Sequence, residues 1–76
     1  MSAMRQFVIY DHPADAPEHF VVREWNIGQG WIQPASQAQG FRELEKARAW
    51  LHQEHPGLVM IGRSPGDDPK ILEVWL

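Results

Sequence analysis

The beginning of the chain alternates between short apolar runs and polar breaks, a pattern typical of β-strands. Residues 4–10 (MRQFVIY) end in four aromatic or β-branched positions, and residues 19–27 (HFVVREWNI) form a second run of this kind. Aromatic and β-branched side chains favour strands, whereas the Pro and Asp residues between the two runs favour turns. The pattern therefore predicts two strands joined by a hairpin loop over residues 11–18, which is longer than a tight two-residue turn.

Alternation within residues 19–27 divides the side chains of this strand between two faces, because successive residues of a strand point to opposite sides. One face carries Val21, Arg23, Trp25 and Ile27, and the other carries Phe20, Val22, Glu24 and Asn26. Neither face is wholly polar. Both sides of the predicted strand therefore present apolar side chains that another layer could bury.

The Gly-, Gln- and Ala-rich stretch of residues 28–40 (GQGWIQPASQAQG) interrupts the apolar pattern. We expect it to form a long loop, and loops of this length in small domains are usually functional or mobile. Trp31 and Ile32 lie inside it. Trp31 either folds back as a lid over the sheet or stays exposed as a contact residue for a partner, a role in which tryptophan is enriched. The rarity of large exposed apolar patches on monomers favours the lid.

Helical periodicity is clearest over residues 41–54. The apolar residues that recur there at three- and four-residue spacing are Phe41, Leu44, Ala47 and Leu51. This spacing places them on one side of a helix. Glutamates in the first turns and histidines at the end match the helix dipole, and a Pro-Gly pair follows. The pattern predicts an amphipathic helix that packs through this apolar side.

Two further strands are predicted after the helix, over residues 58–62 and 71–76, joined by a Pro-, Gly- and Asp-rich hairpin loop over residues 63–70. Strands joined by loops of this length run antiparallel. The order ββαββ predicts an α+β fold in which a four-stranded, mainly antiparallel sheet has one helix packed on one face. Residues 1–76 are expected to form a single domain, because two separate cores would need at least ~50 residues each.

Three tryptophans lie in predicted regular structure. Each can bury on the order of 200 Å², so we expect at least two of Trp25, Trp50 and Trp75 to belong to the core. Trp50 lies one position away from the apolar side of the helix and is expected at the edge of the core.

Composition excludes several classes of protein. The chain has no cysteine, and therefore no disulfide, thiol nucleophile or cysteine-ligated metal site. Its seven lysines and arginines are spread along a chain of net charge -3, whereas a nucleic-acid surface needs clustered positive charge. No apolar run approaches the ~20 residues of a membrane span, and no signal-peptide segment precedes Asp11. We expect a cytoplasmic protein that binds neither nucleic acid nor membrane.

The loop between the last two predicted strands holds one candidate for chemistry. Asp67 and Asp68 are adjacent, with Ser64 nearby, and carboxylates can hold a divalent cation or act in acid–base catalysis. Two carboxylates are too few for calcium or magnesium, and Asp also accepts backbone hydrogen bonds in turns, which is the favoured interpretation. The alternative is a small metal-dependent or hydrolytic enzyme that uses these three residues, with His12 or His19 contributed across the sheet.

His52 and His55 lie three residues apart at the end of the predicted helix. A zinc-binding helix of the His-Glu-x-x-His kind needs four-residue spacing and a third ligand, and the pattern supplies neither. The favourable position of histidine near a helix C-terminus is the favoured interpretation. No metal or cofactor is predicted.

The end of the chain resembles a type of short bacterial protein. The shared pattern is an Arg-Ser-Pro-x-Asp-Asp-Pro stretch at residues 63–69 followed by Glu-x-Trp at residues 73–75, with similar segments at residues 22–25 and 44–48. The resemblance covers about half of the chain. It implies a bacterial source and a single-domain fold, and it implies no activity.

Two hypotheses for function follow. The first is a non-catalytic interaction module, in one version a homodimer that pairs through a sheet edge or through the sheet face that the helix leaves uncovered. The residues expected to contact the partner are Trp31, Ile32, Trp25 and Arg23. The second is the enzyme that uses Ser64, Asp67 and Asp68.

Overall fold

Four strands and one helix make up the residues that the structure describes, 4–62 and 69–76, of which 35–37 are described by their backbone alone. In this computed structural model the elements are β1 (Met4–Asp11), β2 (Phe20–Gly28), β3 (Trp31–Phe41), α1 (Leu44–Glu54) and β4 (Ile71–Trp75). Three strands therefore precede the helix, and one follows it.

The strands form one antiparallel sheet in the order β3-β2-β1-β4. β1 lies inside the sheet, because it pairs with β2 on one side and with β4 on the other. Val8, near its middle, stands opposite both Arg23 and Val74. The aromatic and β-branched positions at the end of β1 thus occupy the part of the sheet with neighbours on both sides, where such side chains are most favourable.

A short segment extends the sheet beyond β4. Met60 forms a bridge with Trp75, and the backbones of Val59 and Leu76 exchange hydrogen bonds of 2.9 and 3.0 Å. The Ile61 N–H adds a third bond, of 2.8 Å, to the carbonyl of Val74. The edge of the sheet on this side is therefore the segment around Met60.

The helix covers one face of the sheet. The core between them consists of Phe7, Ile9, Val22, Ala47, Leu51 and Trp75. Ala47 and Leu51 lie four residues apart and so share one side of α1, as the apolar spacing predicts. No described helix or strand lies over the other face of the sheet. Among the described residues, no helix has the length and apolar character needed to cross a membrane.

Of the three tryptophans, one belongs to the buried core and a second packs against it, whereas at least two were expected in the core. Trp75 is buried, and Trp50 is partly buried against the core cluster, at its edge. Trp25 is half-buried on the uncovered face instead. Two histidines near the end of the helix pack against aromatic rings of the core. The ring centroids of His52 and Trp75 lie 5.2 Å apart, and those of His55 and Phe7 lie 4.3 Å apart.

A buried carboxylate joins the helix to β4. Glu73 is 6% exposed, and the Nε of Arg48 donates to its two oxygens at 3.2 and 2.9 Å. The Nη2 of Arg48 also donates to Glu73, and Trp75 Nε1 donates to it at 3.1 Å. The hydrogen bond with Glu73 raises the pKa of Arg48 above its ordinary value, against the opposing effect of burial. The carboxylate is therefore buried with its hydrogen bonds satisfied.

Residues 31–40 belong to β3 and residues 29–30 form its turn from β2, so the predicted long loop over residues 28–40 is wrong. β3 pairs with β2 from the turn onward, beginning with Gly28 opposite Trp31. Gly30 is the second central residue of the tight turn, and it has a φ of 79°. Glycine adopts this conformation without strain at that position of a turn. The Gly, Pro and Ala content of the stretch gives a low strand propensity, and pairing with β2 overrides it.

The helix begins at Leu44 and not at the predicted residue 41. Phe41 is the last residue of β3, where it stands opposite Phe20 and packs against the core from the sheet. Glu43, immediately before the helix, is extended, with φ -128 and ψ 137. Phe41 therefore fits the apolar spacing of the helix although it lies in a strand, because the strand and the helix face the same core.

The predicted strand over residues 58–62 is present as the short bridged segment around Met60. The α+β class and the mainly antiparallel sheet with one helix on one face are confirmed. The order ββαββ fits roughly, since β3 adds a strand before the helix.

Removal of Trp75 and Leu76 should lower the free energy of unfolding by about 3 kcal/mol or more, because a core ring and the hydrogen bonds to Val59 are lost. Urea denaturation measures the change. Trp31→Ala, which removes a tryptophan that is 45% exposed, is the control and should cost less than about 1 kcal/mol. A truncated protein as stable as the full chain would show that β4 is peripheral.

Arg48→Met should lower the Tm, because among the described residues it leaves Trp75 Nε1 as the side-chain donor to the buried carboxylate of Glu73. Arg42→Met, at an exposed position two residues before the helix, is the matched control and should leave the Tm nearly unchanged. Thermal unfolding followed by circular dichroism compares the two. Equal Tm values would contradict a structural role for the Arg48–Glu73 pair.

Candidate interaction surface

The sheet face opposite the helix, here called the open face, is largely apolar. Alternation along the strands assigns to it Met4, Gln6, Val8, Tyr10, Val21, Arg23, Trp25, Ile27, Ile32, Pro34, Ala38, Gly40 and Val74. Arg23 is the one charged residue in this set. An antiparallel sheet with one solvated face usually carries polar side chains there. This composition is instead typical of a surface that another molecule covers.

Tyr10 and Trp25 meet over Val8 at the centre of the open face. Trp25 Nε1 donates a hydrogen bond to the Tyr10 hydroxyl oxygen at 3.2 Å. Val8 lies two positions before Tyr10, and its partner on β2, Arg23, lies two positions before Trp25. The two rings thus close over Val8, which is 4% exposed although no described helix or strand covers this face. They form a central aromatic ridge on the open face.

The charge of Arg23 is matched from within the chain. Asp15, in the loop between β1 and β2, places its Oδ2 3.7 Å from the Arg23 Nη2. The Asp15 side chain is 73% exposed, so this ion pair contributes little to stability. Its effect is electrostatic balance, because the open face then carries no net charge.

A hollow opens at the end of the open face that is nearest this loop. It has a volume of about 250 Å³, and its lining includes Asp15, Val21, Arg23, Ala38 and Gly40. Gly40 contributes no side chain to it, and the His19 ring lies close by, 3.6 Å from where a Cβ on Gly40 would be. The hollow therefore combines an apolar floor with a polar wall.

The opposite end of the open face protrudes. Met4, Ile27 and Ile32 stand side by side on β1, β2 and β3. Met4 is 54% exposed and Ile32 57% exposed. The face therefore has an apolar projection at one end and a hollow at the other.

The edge segment continues the apolar surface. Met60 lies on the helix side of the sheet, because it bridges Trp75, so its neighbours Val59 and Ile61 point to the side of the open face. They are 64% and 57% exposed. The apolar surface therefore spans the sheet from β3 to this segment.

Three of the four predicted contact residues share the open face, namely Arg23, Trp25 and Ile32. Trp31 lies on the other side, because it pairs with Gly28, which belongs to the helix-side set of β2. Its indole packs on this glycine, where an added Cβ would lie 2.1 Å from the ring. Trp31 is thus exposed, covers Gly28 locally and forms no lid over the sheet.

Sequence reasoning missed several residues of this surface, of which Tyr10, Met4 and Ile61 are the most informative. Their side of the sheet depends on which strands pair, and the sequence does not give the strand order. One signal was available: within β1, Phe7 and Ile9 alternate with Val8 and Tyr10, as in a strand with two apolar faces.

The alternative catalytic residues Ser64, Asp67 and Asp68 lie outside the described residues, so this hypothesis stays a prediction. Of the histidines considered with them, His12 is hydrogen-bonded through Nδ1 to Asp11, and His19 lies near Gly40. Within residues 4–62 and 69–76, no group of three or more His, Asp or Glu side chains could hold a metal ion.

Comparisons of the chain with protein-family models, with curated proteins and with solved structures give no match. The resemblance to short bacterial proteins therefore stays a prediction.

Tyr10→Phe should keep the ring over Val8 but remove the acceptor for Trp25 Nε1. The lost hydrogen bond is expected to cost about 0.5–1.5 kcal/mol. It should also shift the indole N–H signal of Trp25 in a ¹⁵N–¹H spectrum, while the signal of Trp75, bonded to Glu73, stays in place. An unmoved Trp25 signal would show that the two rings do not interact in solution.

Proposed function

We propose that this chain is a non-catalytic protein-interaction module, bacterial and cytoplasmic, that acts through its open face. The observation that supports it is a sheet face over which no described helix or strand lies, and whose described side chains are almost all apolar. Tyr10 and Trp25 at its centre and the exposed Ile32 match the composition of interface centres, which are rich in aromatic and poor in charged residues. Binding would remove this apolar area from water.

The arrangement of the charges favours a protein over a nucleic acid as the partner. Arg5 belongs to the helix side of β1, where its Nη2 contacts His55 Nδ1 at 3.0 Å and its Nε lies 3.6 Å from Glu24. Arg23 belongs to the open face and lies beside Asp15. The two arginines thus point to opposite faces, whereas a phosphate backbone needs cations gathered on one surface.

The enzyme hypothesis makes a separate prediction. If Ser64, Asp67 and Asp68 form a metal-dependent site, excess Mg²⁺, Mn²⁺, Ca²⁺ or Zn²⁺ should shift the NMR signals of that loop. Unchanged spectra would remove the metal-dependent form of this hypothesis.

The interaction module predicts that capture of a protein partner depends on the open face. A tagged chain expressed in its source cell should co-purify with its partner, which mass spectrometry identifies. Ile32→Lys, which places a charge on the open face, should reduce capture at least ~10-fold, an effect typical of a residue that carries much of the binding energy. Met60→Lys is the matched control, because Met60 is 48% exposed on the other side of the sheet.

Full capture by the wild type and Met60→Lys, together with loss in Ile32→Lys, would support the proposal. Equal capture by all three chains, or capture of no protein by any of them, an untagged copy of this chain included, would overturn it. Circular dichroism confirms that both variants remain folded, as expected for substitutions at exposed positions.

A further inference from the structure

We infer that the partner of the open face is a second copy of this chain, packed face to face so that the two sheets form a sandwich. This inference rests on the proposed function and names its partner. Three features of the open face argue for a second copy: its charge, its area and the shapes of its two ends.

The charge of the open face suits contact with its own image. Arg23 is the only charged residue assigned to it by the strand register, and Asp15 of the same chain lies beside it. Two such faces can meet without placing like charges against each other. A partner recognised by charge would instead need an unbalanced patch, since complementary charges are what select such partners.

The area is sufficient for a dimer. Strands lie about 4.8 Å apart and rise about 3.3 Å per residue, so four strands of about eight residues span about 500 Å². Two faces then bury about 1,000 Å², which is the lower limit for a specific interface. The exposed Val59 and Ile61 add to this area at the edge.

The two ends of the face complement each other. The projection at Ile32 and the hollow at Ala38 and Gly40 lie on the same strand, β3, at its opposite ends. The two copies can be related by a two-fold axis that lies between the two sheets and runs perpendicular to the strands. This axis reverses the direction of the strands in the second copy and keeps their order across the sheet. It therefore places Ile32 of each copy over the hollow of the other. An isologous dimer makes both contacts at once.

Pairing through the sheet edges is disfavoured by the edges themselves. On one side, β3 contains Pro34, which has no N–H to donate to a neighbouring strand. On the other side, the segment bridged through Met60 is short. Short edge strands and edge prolines are the features by which proteins prevent edge-to-edge pairing, so the face is the favoured surface.

Sedimentation velocity of the purified chain tests self-association. The mass should rise from 8.8 kDa towards twice that value as the concentration increases from ~1 to ~100 μM. Ile32→Lys should remain at 8.8 kDa throughout, and Met60→Lys should behave as the wild type. A wild-type chain that is monomeric at the highest concentration overturns the inference. Should such a chain still capture another protein in an Ile32-dependent manner, the proposed function would stand and only self-pairing would fail.

Disulfide cross-linking tests the arrangement, because the chain contains no cysteine of its own. Tagged Ile32→Cys and untagged Ala38→Cys are mixed and oxidised, and the tag recovers the mixed dimer. Mixed dimers should form at least ~10-fold faster than in the control mixture with Met60→Cys, whose side chain faces away. Equal rates in the two mixtures would overturn the proposed packing.

Discussion

A sheet has two faces, and the described part of this chain supplies one helix, of eleven residues, to cover them. The helix buries Ala47 and Leu51 against Phe7, Ile9 and Val22, and no described helix or strand covers the other side of the same strands. Domains ordinarily bury each apolar sheet face against another element. Here the side chains on the uncovered side are also apolar, so they cover one another where they can, as Tyr10 and Trp25 do over Val8.

The two faces are stabilised differently. The helix side combines close apolar packing with the pair of Arg48 and Glu73, which ties α1 to β4 at a defined position. A buried ion pair whose other hydrogen bonds are satisfied adds little net stability. Its main effect is to favour one arrangement of the elements over the alternatives. On the open face, the described side chains form the Trp25–Tyr10 hydrogen bond and an exposed ion pair between Arg23 and Asp15. Its surface is therefore the more adaptable of the two.

The local sequence pattern was sufficient to predict the elements whose residues strongly favour one kind of secondary structure. The apolar run that ends at Tyr10 predicted β1, and the alternation through Trp25 predicted both faces of β2 correctly. It failed at β3, where Gly, Pro and Ala have low strand propensity and the order comes from pairing with β2. The pattern also failed at Phe41, because an apolar residue that contacts the core can lie either on a strand or on a helix.

The same limit applies to the site. Alternation alone placed Arg23 and Trp25 on one face, but Ile32 could be added to them only with the register in hand, because the turn at Gly30 decides which residues of β3 stand opposite β2. The register also separates Trp31 from its neighbour Ile32. Two exposed apolar residues that adjoin in sequence thus belong to different surfaces, which no composition argument could show.

The central position of β1 has a consequence for how the protein folds. Phe7 stands opposite Trp75, so the first strand acquires its second neighbour from the far end of the sequence. Closing so long a loop costs entropy before any contact repays it, and folds dominated by such pairings form slowly. During synthesis, β1, β2 and β3 can pair while β4 is still missing, and the free edge of β1 then lies next to uncovered apolar side chains. Such an intermediate is prone to aggregation, and the arrival of Ile71–Trp75 removes that hazard by pairing with β1.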